Sequence, residues 1–205
     1  MKSVIKAKSI IPVINVRDPF IIPNVLSSLY KGGIHIAELT YRNENSSQVL
    51  KYAIEKMGSK MTIGAGTVIT KEQAEEAISF GAKFIVSPGL SEEVAEVCKA
   101  HKIEYIPGIQ TATEIMLALK LGYKTLKFFP SEACGGLKTL KALHSAFPQV
   151  TFVPTGGINL DNLVTYLKED FVYAVGGSFM MKGNVSDIQR ITKESVVLIK
   201  EGLAE

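Results

Sequence analysis

The sequence predicts a (β/α)8 TIM barrel, and three observations carry that reading. Eight short apolar or β-branched runs recur along the chain, each followed by a segment with helical spacing. The runs are continuously hydrophobic rather than alternating, which suits parallel strands covered on both faces. Polar residues gather where the runs end, and such barrels keep their chemistry at the C-terminal strand ends. An open doubly wound sheet is the alternative; eight units favour closure. At 205 residues the chain is near the short limit for the fold. No Pro/Gly/Ser-rich linker or charge block divides it, so residues 1–205 read as a single domain.

The first run is SIIPVIN (9–15), and the helical segment after it closes near Gly32, just before IHIAELT (34–40). The third, MTIGAGT (61–67), is followed by Thr70-x-x-Gln73, a capping box in which the hydroxyl and the amide satisfy two orphan N–H groups. That helix closes near Gly81, before KFIVS (83–87). The fifth run, IEYIPG (103–108), leads to a second box, Thr111-x-x-Glu114, closing near Gly122. KTLKFF (124–129), TFVPT (151–155) and VYAVGG (172–177) complete the set. From about Ser186 onward, Ile188, Ile191, Val196 and Ile199 mark one long amphipathic helix.

Composition excludes several classes. At 46% hydrophobic and 21% charged, the chain is that of an ordinary soluble globular protein. A net charge of +3 with scattered basic residues leaves no footprint for nucleic acid. The opening MKSVIKAKSIIPVINVRD has charges on both sides of its apolar run and no small-residue cleavage site, so it is not a signal peptide. No run approaches the roughly 18 apolar residues of a membrane span. The cytoplasm is the expected compartment. Cys98 and Cys134 lack metal spacing, and His35, His101 and His144 stand far apart, so no metal site is expected.

The strand ends supply a short list of polar residues. They are Glu38, Thr40 and Arg42; Gly64, Gly66 and Thr67; Ser87 and Pro88; Pro107 and Gly108; Lys127 and Phe129; Thr155, Gly156 and Gly157; and Gly176, Gly177 and Ser178. In "TLKFF", period-2 alternation puts Leu126 and Phe128 on the helix side and Lys127 inside the barrel. Such a lysine either pairs with a carboxylate for structure, snorkels to the rim, or serves as an amine that attacks a ketone to form a Schiff base. Glu38, inside the apolar IHIAELT, is either the lysine's ion-pair mate or a group that gives and takes protons. Arg42 lies beyond its strand end, where a guanidinium can grip a carboxylate in two places or lie free in solvent. The two glycine turns after the last two runs occupy the place of the recurrent phosphate site of this fold.

These residues stand in motifs that resemble a known family, the class I 2-keto-3-deoxy-6-phosphogluconate aldolases, bifunctional with 4-hydroxy-2-oxoglutarate aldolase. "GGIHIAELTYR", "IGAGTV", "FIVSPG", "PGIQTATE", "LKFFPSEACGG", "PTGGI" and "VGGSFM" occur in the family's order and spacing over nearly the whole chain. The resemblance implies a metal-independent lyase without a cofactor, acting through a covalent Schiff base on Lys127, with Glu38 as general acid/base. It implies Arg42 and Thr67 as binders of the pyruvate carboxylate, Pro88 and Phe129 as pocket walls, and Thr155, Gly156, Gly157, Gly177 and Ser178 as the phosphate site. It also implies a homotrimer and a phosphorylated keto-acid substrate. The alternatives are the galactonate epimer, an isomerase or synthase without covalent catalysis, and a silent phosphate-binding scaffold. Relatives specific for the galactonate epimer carry an arginine at the first strand end; this chain has Asn15, with Arg17 two residues on. Asn43 follows Arg42 where relatives often have threonine.

Overall fold

Residues 3–204 are described by a computed structural model; Met1, Lys2 and Glu205, which belong to the predicted domain, lie outside the described residues. The order is β1 (Ser9–Ile14), α1 (Ile22–Lys31), β2 (Ile36–Thr40), α2 (Ser46–Met57), β3 (Thr62–Gly66), α3 (Lys71–Phe80), β4 (Phe84–Val86) and α4 (Glu92–His101). It continues with β5 (Glu104–Ile106), β6 (Gly108–Ile109), α5 (Ala112–Lys120), β7 (Thr125–Phe128), α6 (Gly136–Ala146), β8 (Thr151–Pro154), α7 (Leu163–Leu167), β9 (Ala174–Gly177) and α8 (Val185–Gly202). Short 3₁₀ turns, Glu132–Cys134 and Phe179–Met181, follow β7 and β9.

Every strand pairing is parallel, and the sheet closes on itself as a (β/α)8 barrel. One arc runs β5-β4-β3-β2-β1-β9 and the other β6-β7-β8. The fifth predicted strand is divided because Pro107 has no N–H to donate, and the chain changes partner there: β5 faces β4 and β6 faces β7. The other junction, between β8 and β9, is made by the bridges Phe152–Val172 and Thr155–Gly176.

Both capping boxes form as the spacing predicts, with Thr70 accepting from the Gln73 N–H and Thr111 from the Glu114 N–H. Gly81 and Gly122 take the left-handed turn at φ +101° and +92°. At α1, Gly32 is the C-cap as expected but stays right-handed, and the left-handed turn follows on Gly33 at φ +99°. Gly32 serves packing instead: a Cβ there would meet Thr192 of α8 at 2.6 Å. On α8, Thr192 and Ser195 are buried with their hydroxyls bonded back to Ile188 O and Ile191 O, so a small-residue face lets α8 lie close to α1.

The alternation along the strands sorts two cores. Ile10, Ile85, Leu126, Phe128 and Phe152 face the helices. Ile11, Phe84, Val86, Ile106, Val153 and Ala174 fill the barrel, joined by Ile5 from below. Ile5 is fastened by the Tyr173 hydroxyl, which donates to its carbonyl at 2.7 Å, while Ser3 and the Val4 N–H bond the Glu104 carboxylate. Burying a side chain of this size stabilises by about 1.5–3 kcal/mol, so the N-terminal apolar run is a plug at the end opposite the strand-end residues. Among the described residues no helix is long and apolar enough to cross a membrane.

Candidate active site

Because Leu126 and Phe128 bury themselves under the helices, Lys127 is forced into the barrel, where it is 1% exposed. Its Nζ lies 3.5 Å from Oε1 of Glu38, across the barrel on β2 and equally buried. The contact is long for a charge-assisted bond, and among the described residues it is the only one that Nζ makes to a hydrogen-bonding group. The Phe129 ring stands 5.1 Å from Nζ, within cation–π range. A buried ion pair with so little hydrogen bonding recovers desolvation poorly, so the arrangement is a weak structural brace.

Glycines create the room. A Cβ on Gly66 would fall 2.0 Å from Glu38 Oε1, and one on Gly64 would strike the Phe84 ring at 2.5 Å. The motif "IGAG" thus hollows β3 for the carboxylate and the aromatic beneath it, a role that its sequence position does not disclose.

Arg42 is exposed at the rim, and its Nε donates to Thr67 Oγ1 at 3.0 Å. Thr67 has φ +55°, a left-handed conformation that a β-branched residue rarely takes. Strain of this kind, of order 1–3 kcal/mol, collects at functional sites. Sequence reading did not anticipate the clasp beneath Arg42. Ser46 Oγ accepts the N–H groups of both Arg42 and Asn43, and Asn43 Nδ2 donates to Asn15 Oδ1 at 2.9 Å and to Val16 O. Asn15 and Asn43, the two departures from the family pattern, therefore bond each other. The spacing Asn43-x-x-Ser46 at the start of a helix is the local signal for the Ser46 part of this clasp.

Pro88 is half-buried, its carbonyl so close to Gly108 that a Cβ there would meet it at 2.1 Å. Phe129 is half-buried, with its carbonyl held by Gln110 Nε2 at 2.9 Å. The register pairs Lys127 with Val153 and Phe128 with Pro154, so the turn beginning at Thr155 continues directly beside the lysine's strand. Thr155 donates its N–H to Phe128 O and its hydroxyl to Val153 O, and a Cβ on Gly176 would meet that hydroxyl at 2.3 Å. Gly156 and Gly157 take φ +97° and +85°. The Gly157 carbonyl is pinned by the side-chain amides of Asn159 and Asn162, which turns the following N–H the other way. Among the described residues, the N–H groups of Gly157, Ile158 and Ser178 donate to no protein acceptor. Such unpaired donors in a glycine turn form a nest for an anion. Gly177 is buried, a Cβ there lying 3.0 Å from the Phe179 ring, and Ser178 is exposed.

Among the described residues no group of three His, Cys, Asp or Glu side chains is placed to hold a metal. A parallel (β/α)8 barrel with an amine and a carboxyl buried side by side near its C-terminal end, and an anion nest on the neighbouring turn, defines a class: the barrel lyases of the aldolase type. The family model described as KDPG and KHG aldolase matches residues 1–194, and the chain belongs to that family. It is 39% identical over 178 residues to a 2-dehydro-3-deoxy-phosphogluconate aldolase of Treponema pallidum, covering 84% of each protein. It is 37% identical over 195 residues to the KHG/KDPG aldolase of Escherichia coli K12, covering 94% of this chain and 91% of the relative. The structure of a KDPG aldolase from Legionella pneumophila, with pyruvate captured at low pH as a covalent carbinolamine intermediate, superposes with a TM-score of 0.86 at 38% identity, covering 91% and 94% of the two chains.

Proposed function

We propose that this protein is a Schiff-base aldolase that cleaves 2-keto-3-deoxy-6-phosphogluconate to pyruvate and glyceraldehyde 3-phosphate. 4-Hydroxy-2-oxoglutarate, giving pyruvate and glyoxylate, is its second substrate. The observation that carries this reading is Lys127: fully buried, in a core strand, with one long contact to a carboxylate. The names of its relatives and the carbinolamine of the Legionella enzyme support it.

In this reading, Lys127 passes a proton to Glu38 and its free amine attacks the substrate carbonyl at C2. Glu38 gives that proton to the departing hydroxyl, so that loss of water yields a protonated imine and returns Glu38 to its carboxylate form. Glu38 removes the C4 hydroxyl proton, the C3–C4 bond breaks, and its electron pair flows to the imine nitrogen, leaving an enamine and releasing the aldehyde. Glu38 then returns the proton to C3, and water hydrolyses the imine to pyruvate and free Lys127. Arg42 and Thr67 hold the pyruvate carboxylate, and Pro88 and Phe129 line its methyl side. Gly156, Gly157, Gly177 and Ser178, framed by Thr155, hold the phosphate. No cofactor takes part.

Borohydride added with pyruvate traps one covalent adduct, which peptide mass spectrometry places on Lys127. An adduct on another lysine overturns the assignment. No adduct, together with activity lost to chelators, replaces it by a metal-dependent aldolase. We also propose a homotrimer in the cytoplasm. Phe20, Ile21 and Ile69 leave large apolar surface on loops at the strand-end rim, Phe20 being 75% exposed. Light scattering that gives a monomer mass sinks the trimer.

A further inference from the structure

Behind the turn at 155–157 lies a buried cluster that the chemistry at Lys127 leaves unused. Ser131 is 0% exposed and Tyr166, on α7, is 2% exposed. The Tyr166 hydroxyl lies 3.0 Å from Ser131 Oγ and donates a short bond to Glu132 Oε1. Two backbone bonds tie the same segment to the turn, from the Ser131 N–H to Thr155 O at 2.8 Å and from the Glu132 N–H to Gly156 O at 3.1 Å. The stem of Glu132 occupies the place of a side chain on Gly157, where an added Cβ would meet Cγ at 2.4 Å. Its carboxylate is carried past the turn to Gly136, where an added Cβ would lie 2.8 Å from both Glu132 Oε1 and Tyr166 Oη. Asn162, the residue before α7, holds the Gly157 carbonyl at 3.0 Å.

A carboxylate whose stem touches an anion nest opposes a phosphate if it swings toward it. What prevents that here is the hydroxyl of Tyr166, which stays protonated because burial, followed by the bond to Glu132, pushes its pKa up to about 12.

We propose that Tyr166 is a positioning residue for the phosphate turn, tethering the Glu132 carboxylate on the Gly136 side and keeping its charge off the bound phosphate. This rests on the phosphate assignment of the turn made above. The same tether joins the turn to the strand end that carries Lys127, so phosphate binding and placement of the amine share one rigid unit.

The test compares steady-state kinetics on 2-keto-3-deoxy-6-phosphogluconate and 4-hydroxy-2-oxoglutarate, which has no phosphate. Tyr166→Phe lowers kcat/KM on the phosphorylated substrate about tenfold or more, chiefly through KM, as expected for a change of roughly 1.4 kcal/mol or more. It changes the other substrate less than about threefold, by the same arithmetic. Adding Glu132→Gln to Tyr166→Phe restores most of the loss, because the freed group no longer carries charge. Glu132→Gln alone leaves the KM of the phosphorylated substrate unchanged or lower, and that measurement decides the matter even if Tyr166→Phe does not fold. A cavity of about 410 Å³ lined by Glu132, Gly136, Asn162 and Tyr166, among others, opens beside the cluster. If the freed carboxylate turns into it, Tyr166→Phe keeps the full preference for phosphate and the tether is overturned. Equal losses on both substrates, or no rescue by Glu132→Gln, overturn it too. A wild-type enzyme indifferent to the phosphate overturns the site and the tether together.

Discussion

A single missing methyl group holds open the place of the Glu38 carboxylate. Gly66→Ala puts a Cβ where Oε1 now lies, at 2.0 Å, so Glu38 has to leave its position opposite Lys127. The expected outcome is a fall of about 10²–10⁴ in kcat, the usual worth of a positioned proton-transfer group, with the chain still folded by circular dichroism. A variant of near-normal kcat removes Glu38 from the chemistry. The lysine itself was legible: alternation over "TLKFF" suffices to point Lys127 inward, because Leu126 and Phe128 claim the helix side. What Gly64 and Gly66 do was not legible, since each makes space for a side chain on another strand. The bond between Asn15 and Asn43 spans 28 residues, and no local pattern encodes it.

At the level of elements, capping boxes and strand runs were read correctly because both are local: a hydroxyl and its N–H partner lie three residues apart. The end of α1 falls at Gly32 as its position before the next strand implies, and tertiary packing divides the two adjacent glycines, reserving Gly32 for the approach of α8 and leaving the left-handed turn to Gly33. Gly32→Ala tests that division. Its Cβ would overlap Thr192 at 2.6 Å, and overpacking of this kind costs about 1–3 kcal/mol. Urea unfolding should show the loss while kcat is retained, since α1 and α8 meet far from Lys127 in the chain's outer layer. A midpoint equal to wild type shows that the helices slide apart freely and that Gly32 has no packing role. The long amphipathic helix forms as read, with Ile188 buried and Ile191, Val196 and Ile199 packed half-covered against the core, while the burial of Thr192 and Ser195 has no local signature.

For the molecule as a whole, protonated buried groups set the alkaline limit. Burial pushes the Cys98 thiol and the Tyr123 hydroxyl up to about 12, and Tyr166 follows. In the unfolded chain these groups ionise at their ordinary values, near 8.5 for the thiol and about 10 for tyrosine. Stability from their raised folded values is complete below that range and is lost as pH rises through it toward about 12. Thermal midpoints should hold from neutrality to about pH 8.5 and fall between there and pH 12, with Cys98→Ala delaying the onset. An unchanged midpoint at pH 11 contradicts this.

The division of the sheet at Pro107 has a mechanical consequence. The barrel is two shells in edge contact, a wide one carrying Glu38 and a narrow one, β6-β7-β8, carrying Lys127 and leading into the glycine turn at 155–157. Their edges meet through the unbroken chain at Pro107, through the bond from the Gly108 N–H to Gly89 O, and through the sparse bridges between β8 and β9. Lys127 and Glu38 therefore straddle a clamshell, and a substrate held between them as proposed above would rivet the halves together. Hydrogen exchange should find the narrow shell opening as one cooperative unit in the free protein. Reduction of the proposed pyruvate imine should then slow exchange along both edges, beside Lys127 at Pro107 and also at Phe152–Tyr173, although the second seam does not carry the lysine.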